Sequence, residues 1–165
     1  MPKKNILIVI VVAVIAALCG AIVIGSLIFT GDSQGSIGGI DAAAASSTVA
    51  AFGLTLQNVS LLAPDASTTI ASTYASYVDA SLLTEWEGDP SEAPGRTTSS
   101  PWPDHIAIDS VAPQGTGFVV TGRIIEMTSN EVEHGGDAGE VPVVIQLVPQ
   151  DGKLVIVAYQ QQSHS

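Results

Sequence analysis

Cysteine is all but missing from this chain: Cys19 is the single one in 165 residues. A disulfide within the chain is therefore excluded, and so is a thiolate metal cage. Basic side chains are scarce too, with five Lys and Arg against sixteen Asp and Glu. Without a basic patch, binding to a nucleic-acid backbone has no footing. The familiar catalytic and metal signatures are also absent. None of the many serines sits in a Gly-x-Ser-x-Gly elbow, and no EF-hand or zinc spacing occurs. No internal repeat is visible.

Charge is also missing from one long stretch. Ile6 to Phe29 holds no charged side chain and, apart from Ser26, no strongly polar one. Its 24 residues would span roughly 36 Å as a helix, enough to cross a hydrocarbon core of about 30 Å. Sixteen of them are Ile, Val, Leu or Phe, which favours insertion by roughly 5–10 kcal/mol. Lys3 and Lys4 precede the run and the first charge after it is Asp32, so the positive-inside rule keeps residues 1–5 in the cytoplasm. The sequence thus predicts a single-pass anchor over 6–29, a cytoplasmic tail over 1–5 and an extracytoplasmic C-terminal part.

A cleaved signal peptide is the rival reading, but its apolar core is ordinarily shorter, about 7–15 residues. The best small-residue cleavage site, around Ala42 to Ala45, also lies well past the run. Ala13, Ala17, Ala21 and Gly25 recur every fourth residue. That stripe could bring two anchors together as a homodimer, or it simply reflects how common small residues are in such segments.

All sixteen acids follow residue 31, against Arg96, Arg123 and Lys153. The part beyond the anchor is thus strongly acidic, which aids solubility and disfavours anionic partners. With no cysteine in that part, the chain suits a prokaryotic cell envelope. Residues 30–40, rich in Gly and Ser, read as a flexible linker, and 41–165 as one exported domain.

Within the domain, Asp41 is placed to cap a helix running from Ala42 to about Leu62, with Val49, Phe52, Leu56 and Val59 on one face. Asp65 can cap a second helix carrying Ile70, Tyr74 and Tyr77 or Val78. Asp79 can cap a short third one carrying Leu82, Leu83 and Trp86. Gly88 to Pro103 is too rich in Pro and Gly for regular structure. The pattern then turns to strands: Ile106 and Ile108, Phe118 to Thr128, Val141 to Val148 and Leu154 to Tyr159. The last two flank an Asp151-Gly152 hairpin signal. The fold class expected is α+β, with two or three helices on a four-stranded antiparallel sheet.

Helices first and a long antiparallel meander after them resemble the nuclear transport factor 2-like fold, shared with ketosteroid isomerase, over about residues 41 to 161. That resemblance implies a curved sheet and a cone whose open end often takes a small ligand. The isomerase-like enzymes place a Tyr on the first helix and acids in the pocket. Here the first helix has neither beyond its cap. The stretch from Gly88 to Ile106, with Pro94-Gly95-Arg96 and Ser99-Ser100-Pro101-Trp102-Pro103, resembles uncharacterised exported bacterial proteins.

Tyr74, Tyr77, Trp86, Arg96 and Trp102 are the candidate ligand contacts, the three helical aromatics being either pocket wall or core. Arg96 would otherwise tie the proline-rich loop to a carboxylate. Glu131, Glu133, His134 and Asp137 are weak candidates for a divalent-cation site, although their spacing fits no known pattern. Asp104 and His105 are neighbours, but adjacent strand residues are expected on opposite faces. The function expected is a non-catalytic envelope module that binds a small ligand, peptide or partner protein without a cofactor. The alternative is a small-molecule enzyme, isomerase- or dehydratase-like, using a conical pocket.

Overall fold

The computed structural model describes residues 40–162. The apolar run, its small-residue stripe and nearly all of the linker lie outside the described residues. Among those described, no helix is long and apolar enough to cross a membrane.

Helix α1 spans Ala42–Gly53 and begins as its cap predicts: Asp41 accepts a hydrogen bond from the Ala44 amide at 2.8 Å. It is shorter than its apolar period suggests. After Gly53 the chain continues as a 3-10 turn over Leu56–Asn58. At this end the helix lies close on the sheet, where a Cβ at Gly53 would come 2.8 Å from the Ile106 amide nitrogen. Val49, Phe52, Leu56 and Val59 are nonetheless all fully buried, so the predicted face is the real one.

Helix α2 spans Ala66–Tyr74 and α3 spans Ala80–Gly88. Asp79 caps α3 through the Ser81 amide, and that bond holds its carboxyl below the usual range. Asp65 occupies the cap position of α2 but makes no side-chain cap bond. The proline-rich stretch contains one 3-10 turn, Pro90–Glu92.

Four strands follow: β1 Trp102–Gln114, β2 Gly117–Met127, β3 Gly139–Gln150 and β4 Lys153–Gln161. They pair antiparallel in the order β1-β2-β3-β4, an open sheet with two edges. Asp151 and Gly152 both take positive φ, 51° and 79°, the conformation that a tight Asp-Gly hairpin requires. Between β2 and β3 the polar excursion is partly ordered as α4, Ser129–His134. A capping box holds its start, with Thr128 and Glu131 bonding each other reciprocally.

Strand alternation splits the sheet into two faces. Phe118, Val120, Ile124, Val141, Val143, Ile145 and Leu147 point inward. They join Val49, Phe52, Ile70 and Trp86 from the helices in a single core. Two loop segments add short parallel bridges, Ser60 to Arg96 and Val78 to Ile156. The second lays residues 77–79 along the free side of β4, with Asp79 N to Ile156 O at 2.9 Å and Ile156 N to Tyr77 O at 2.8 Å.

Candidate ligand-binding site

Five rings meet where the helices cross the sheet. Phe52 of α1 touches Tyr74 and Tyr77 at centroid distances of 5.1 and 6.1 Å, and Tyr159 of β4 at 6.1 Å. Trp86 of α3 packs edge-on against Tyr74 and Tyr159 at 5.8 and 5.9 Å. Tilted and edge-on contacts are the favourable arrangement for ring quadrupoles. Tyr74 and Trp86 are 0% and 3% exposed, while Tyr77 and Tyr159 are half-buried at the margin.

Both tyrosine hydroxyls find partners, the buried one of Tyr74 as it must. Tyr74 donates to the Pro94 carbonyl at 2.7 Å, and Tyr159 donates to Gln161 Oε1 at 3.0 Å. Burial pushes both hydroxyls well above the ordinary tyrosine range, so they remain protonated donors at neutral pH.

Tyr159 opens onto the surface. Beside it lies a recess of about 270 Å³ lined by Ser91, Glu92, Ala93, Gln160 and Gln161. Across the proline-rich loop is a smaller one of about 120 Å³, with Thr97, Pro103, Glu126 and again Gln161 in its wall. Gln161 therefore stands between the two, under the loop that Tyr74 fastens. Across the two, the groups on offer are hydroxyl, amide and two carboxylates, Glu92 and Glu126, a set suited to hydrogen bonding.

The structure thus brings Tyr74, Tyr77 and Trp86 together and leaves Arg96 and Trp102 apart from them. Among the described residues Arg96 pairs with no carboxylate. Its Nη1 donates to the Gln57 carbonyl at 3.5 Å, its Nε is buried without a hydrogen-bond partner, and its backbone exchanges bonds with Val59 and Leu61. The loop is therefore tied down through its main chain. Trp102 is half-buried at the start of β1, opposite Met127.

The cation candidates are occupied otherwise. Hydrogen bonds from Thr128 and Asn130 lower the Glu131 carboxyl to about 2, and His134 Nδ1 bonds the Asn130 carbonyl at 3.0 Å. Glu133 and Asp137 are exposed. Among the described residues no three His, Cys, Asp or Glu gather as a metal would need.

The expectation for Asp104 and His105 is overturned. A β-bulge between Pro103 and His105 interrupts the alternation and puts Asp104 Oδ2 2.8 Å from His105 Nδ1. Sequence reasoning also missed Tyr159, Gln160 and Gln161. The strand was recognised, but the last turn of its alternation was not followed to the rim.

The fold and site define an α+β domain of three helices followed by an open four-stranded antiparallel sheet. No family model, curated protein or solved structure matches the chain.

Proposed function

We propose that residues 41–165 form an extracytoplasmic domain of the nuclear transport factor 2-like kind, held at the membrane by residues 6–29. Its role is to bind a small ligand or a segment of an envelope protein, without catalysis. One observation carries the binding reading. The two recesses share Gln161, on the margin of the aromatic cluster, and the Tyr159 hydroxyl, the Gln160 and Gln161 amides and the carboxylates of Glu92 and Glu126 line them. The Tyr159 ring set among placed polar groups offers a ligand one aromatic face and several hydrogen-bond partners. Glu92 is the carboxylate of the larger recess, and the titratable group lining it with Glu92 is the Tyr159 phenol, whose raised pKa leaves it protonated at neutral pH and a poor partner for proton transfer. The helix-then-meander order supports the fold reading, and the uncharged run with Lys3 and Lys4 before it supports the location.

The test is a small-molecule fragment screen on the ¹⁵N-labelled full chain in detergent. Binding should shift the amides of residues 91–93 and 159–161 first. Gln161→Ala should weaken the hits by about tenfold, the order expected for one lost hydrogen bond. Hits that shift only other regions, or that ignore Gln161→Ala, would refute the site.

A further inference from the structure

Three consecutive residues of β4, Tyr159, Gln160 and Gln161, line the larger recess. Neighbouring side chains of a strand point to opposite faces, so a hollow that touches all three lies along the strand's edge. β4 is the last strand of the sheet, and no strand of the sheet lies beyond it. Residues 91–93 bound the hollow on its far side, and the smaller recess continues it past Gln161 against Gly95 and Thr97. The two make one slot between the end of β4 and the proline-rich loop.

Register fixes which main-chain groups face that slot. Ile156 bonds outward, its carbonyl accepting from the Asp79 amide and its amide donating to the Tyr77 carbonyl. Farther along, the Gln162 amide donates inward to the Pro142 carbonyl of β3 at 3.0 Å. Antiparallel pairing alternates inward and outward residue by residue, and the bulge between Ile156 and Ala158 takes up one extra residue. Ala158 and Gln160 therefore bond to β3, while Tyr159 and Gln161 turn their amides and carbonyls outward. Among the described residues, nothing in the domain bonds to those outward groups.

Two residues along a strand cover about 6.6 Å. A donor and an acceptor repeated at that interval complement an extended peptide main chain. The chain makes this pairing once itself, where residues 77–79 lie parallel to β4 at Ile156. That strip stops at Asp79, where α3 begins, and leaves the next part of the edge unused. Glu92 stands on the loop side of the slot, and sixteen acids face only Arg96, Arg123 and Lys153 in this part of the chain, so the complementary side chain is basic. An edge from another folded sheet brings neighbouring strands with it, and the loop stands where they would go.

We propose that this slot takes a short extended segment of a partner polypeptide. The segment adds to β4 as a fifth strand through the main chain of Tyr159 and Gln161, and sets a Lys or Arg against Glu92. The inference rests on the recess reading above and names its ligand as peptide.

The experiment titrates the ¹⁵N-labelled full chain in detergent with capped pentapeptides in which valine alternates with lysine, and with the same peptides carrying glutamine for lysine. The lysine peptide should bind at about millimolar concentration or tighter, the order for a few main-chain hydrogen bonds, and should shift the Tyr159 and Gln161 amides. Of two analogues N-methylated at alternate amides, at least one should bind about tenfold more weakly. Gln161→Pro, which removes one outward amide, should do the same, and Gln161→Ala, which keeps it, should not. Glu92→Gln should weaken the lysine peptide and leave the glutamine peptide unchanged. No saturable binding of any of these peptides would overturn the proposal. So would both N-methylated analogues binding as well as their parent, or shifts confined to other strands. Small-molecule fragments that shift residues 91–93 while no peptide binds would remove the peptide and leave the recess standing. Loss of both would remove the recess reading as well.

Discussion

The Tyr74 hydroxyl reaches out of α2 and donates to the Pro94 carbonyl at 2.7 Å, fastening the proline-rich loop to the helical layer. Both groups are buried, so neither can turn to water instead. Tyr74→Phe should keep the ring contacts but strand the carbonyl, costing about 1–3 kcal/mol. Chemical denaturation should show that loss as a lower midpoint with an unchanged slope.

The same burial gives the domain an alkaline limit. Tyr74 and Tyr159 have folded-state pKa values above the ordinary 10.0, so their protonated forms are favoured in the fold. Their contribution is complete below pH 10 and is lost as pH rises from there through the folded values. Thermal melts between pH 8 and 12 should fall steeply above about 10. Tyr74→Phe should flatten that fall.

Gly53 is the helix residue that the sheet touches. A methyl group there would meet the Ile106 main chain at 2.8 Å, and backbone cannot yield as a flexible side chain can. Gly53→Ala should therefore destabilise by about 1–3 kcal/mol, although alanine is the better helix former. An unchanged or raised melting temperature would contradict the close approach.

Residues 41–165 should fold by themselves, because the core closes among α1 to α3 and the four strands. Circular dichroism of that fragment should report mixed helix and strand. A random-coil spectrum would refute independent folding.

For the membrane arrangement, reporters active on one side only should be fused after Ser165. Periplasmic or external activity is expected from Lys3, Lys4 and the uncharged run. Cytoplasmic activity would reverse the orientation.

Much of this architecture was legible because its signals are local. Asp41 and Asp79 announced two helix starts, the spacing of Val49, Phe52, Leu56 and Val59 announced one buried face, and Asp151-Gly152 announced a hairpin. Thr128-Ser129-Asn130-Glu131 carries a capping-box pattern, the local signal for α4. The length of α1 was not legible. The helix ends where Gly53 lies against Ile106, more than fifty residues away in sequence. The Asp104–His105 pairing depends on a bulge, and a bulge is a property of two strands in register. The larger recess draws on Ser91 to Ala93 and on Gln160 and Gln161, which only the folded loop brings together.

The strip of chain at residues 77–79 has a further effect through its bonds to Ile156. A sheet edge with free amides and carbonyls is a template on which other chains can add strands. Here β4 is occupied along part of that edge by its own chain. The opposite edge, β1, carries Pro103 and Pro113, which lack amide donors, and two bulges that break its line. Neither margin offers a long straight template. A bare edge would let neighbouring copies of the domain add strand to strand. Guarded margins let the domain stand at high concentration without polymerising.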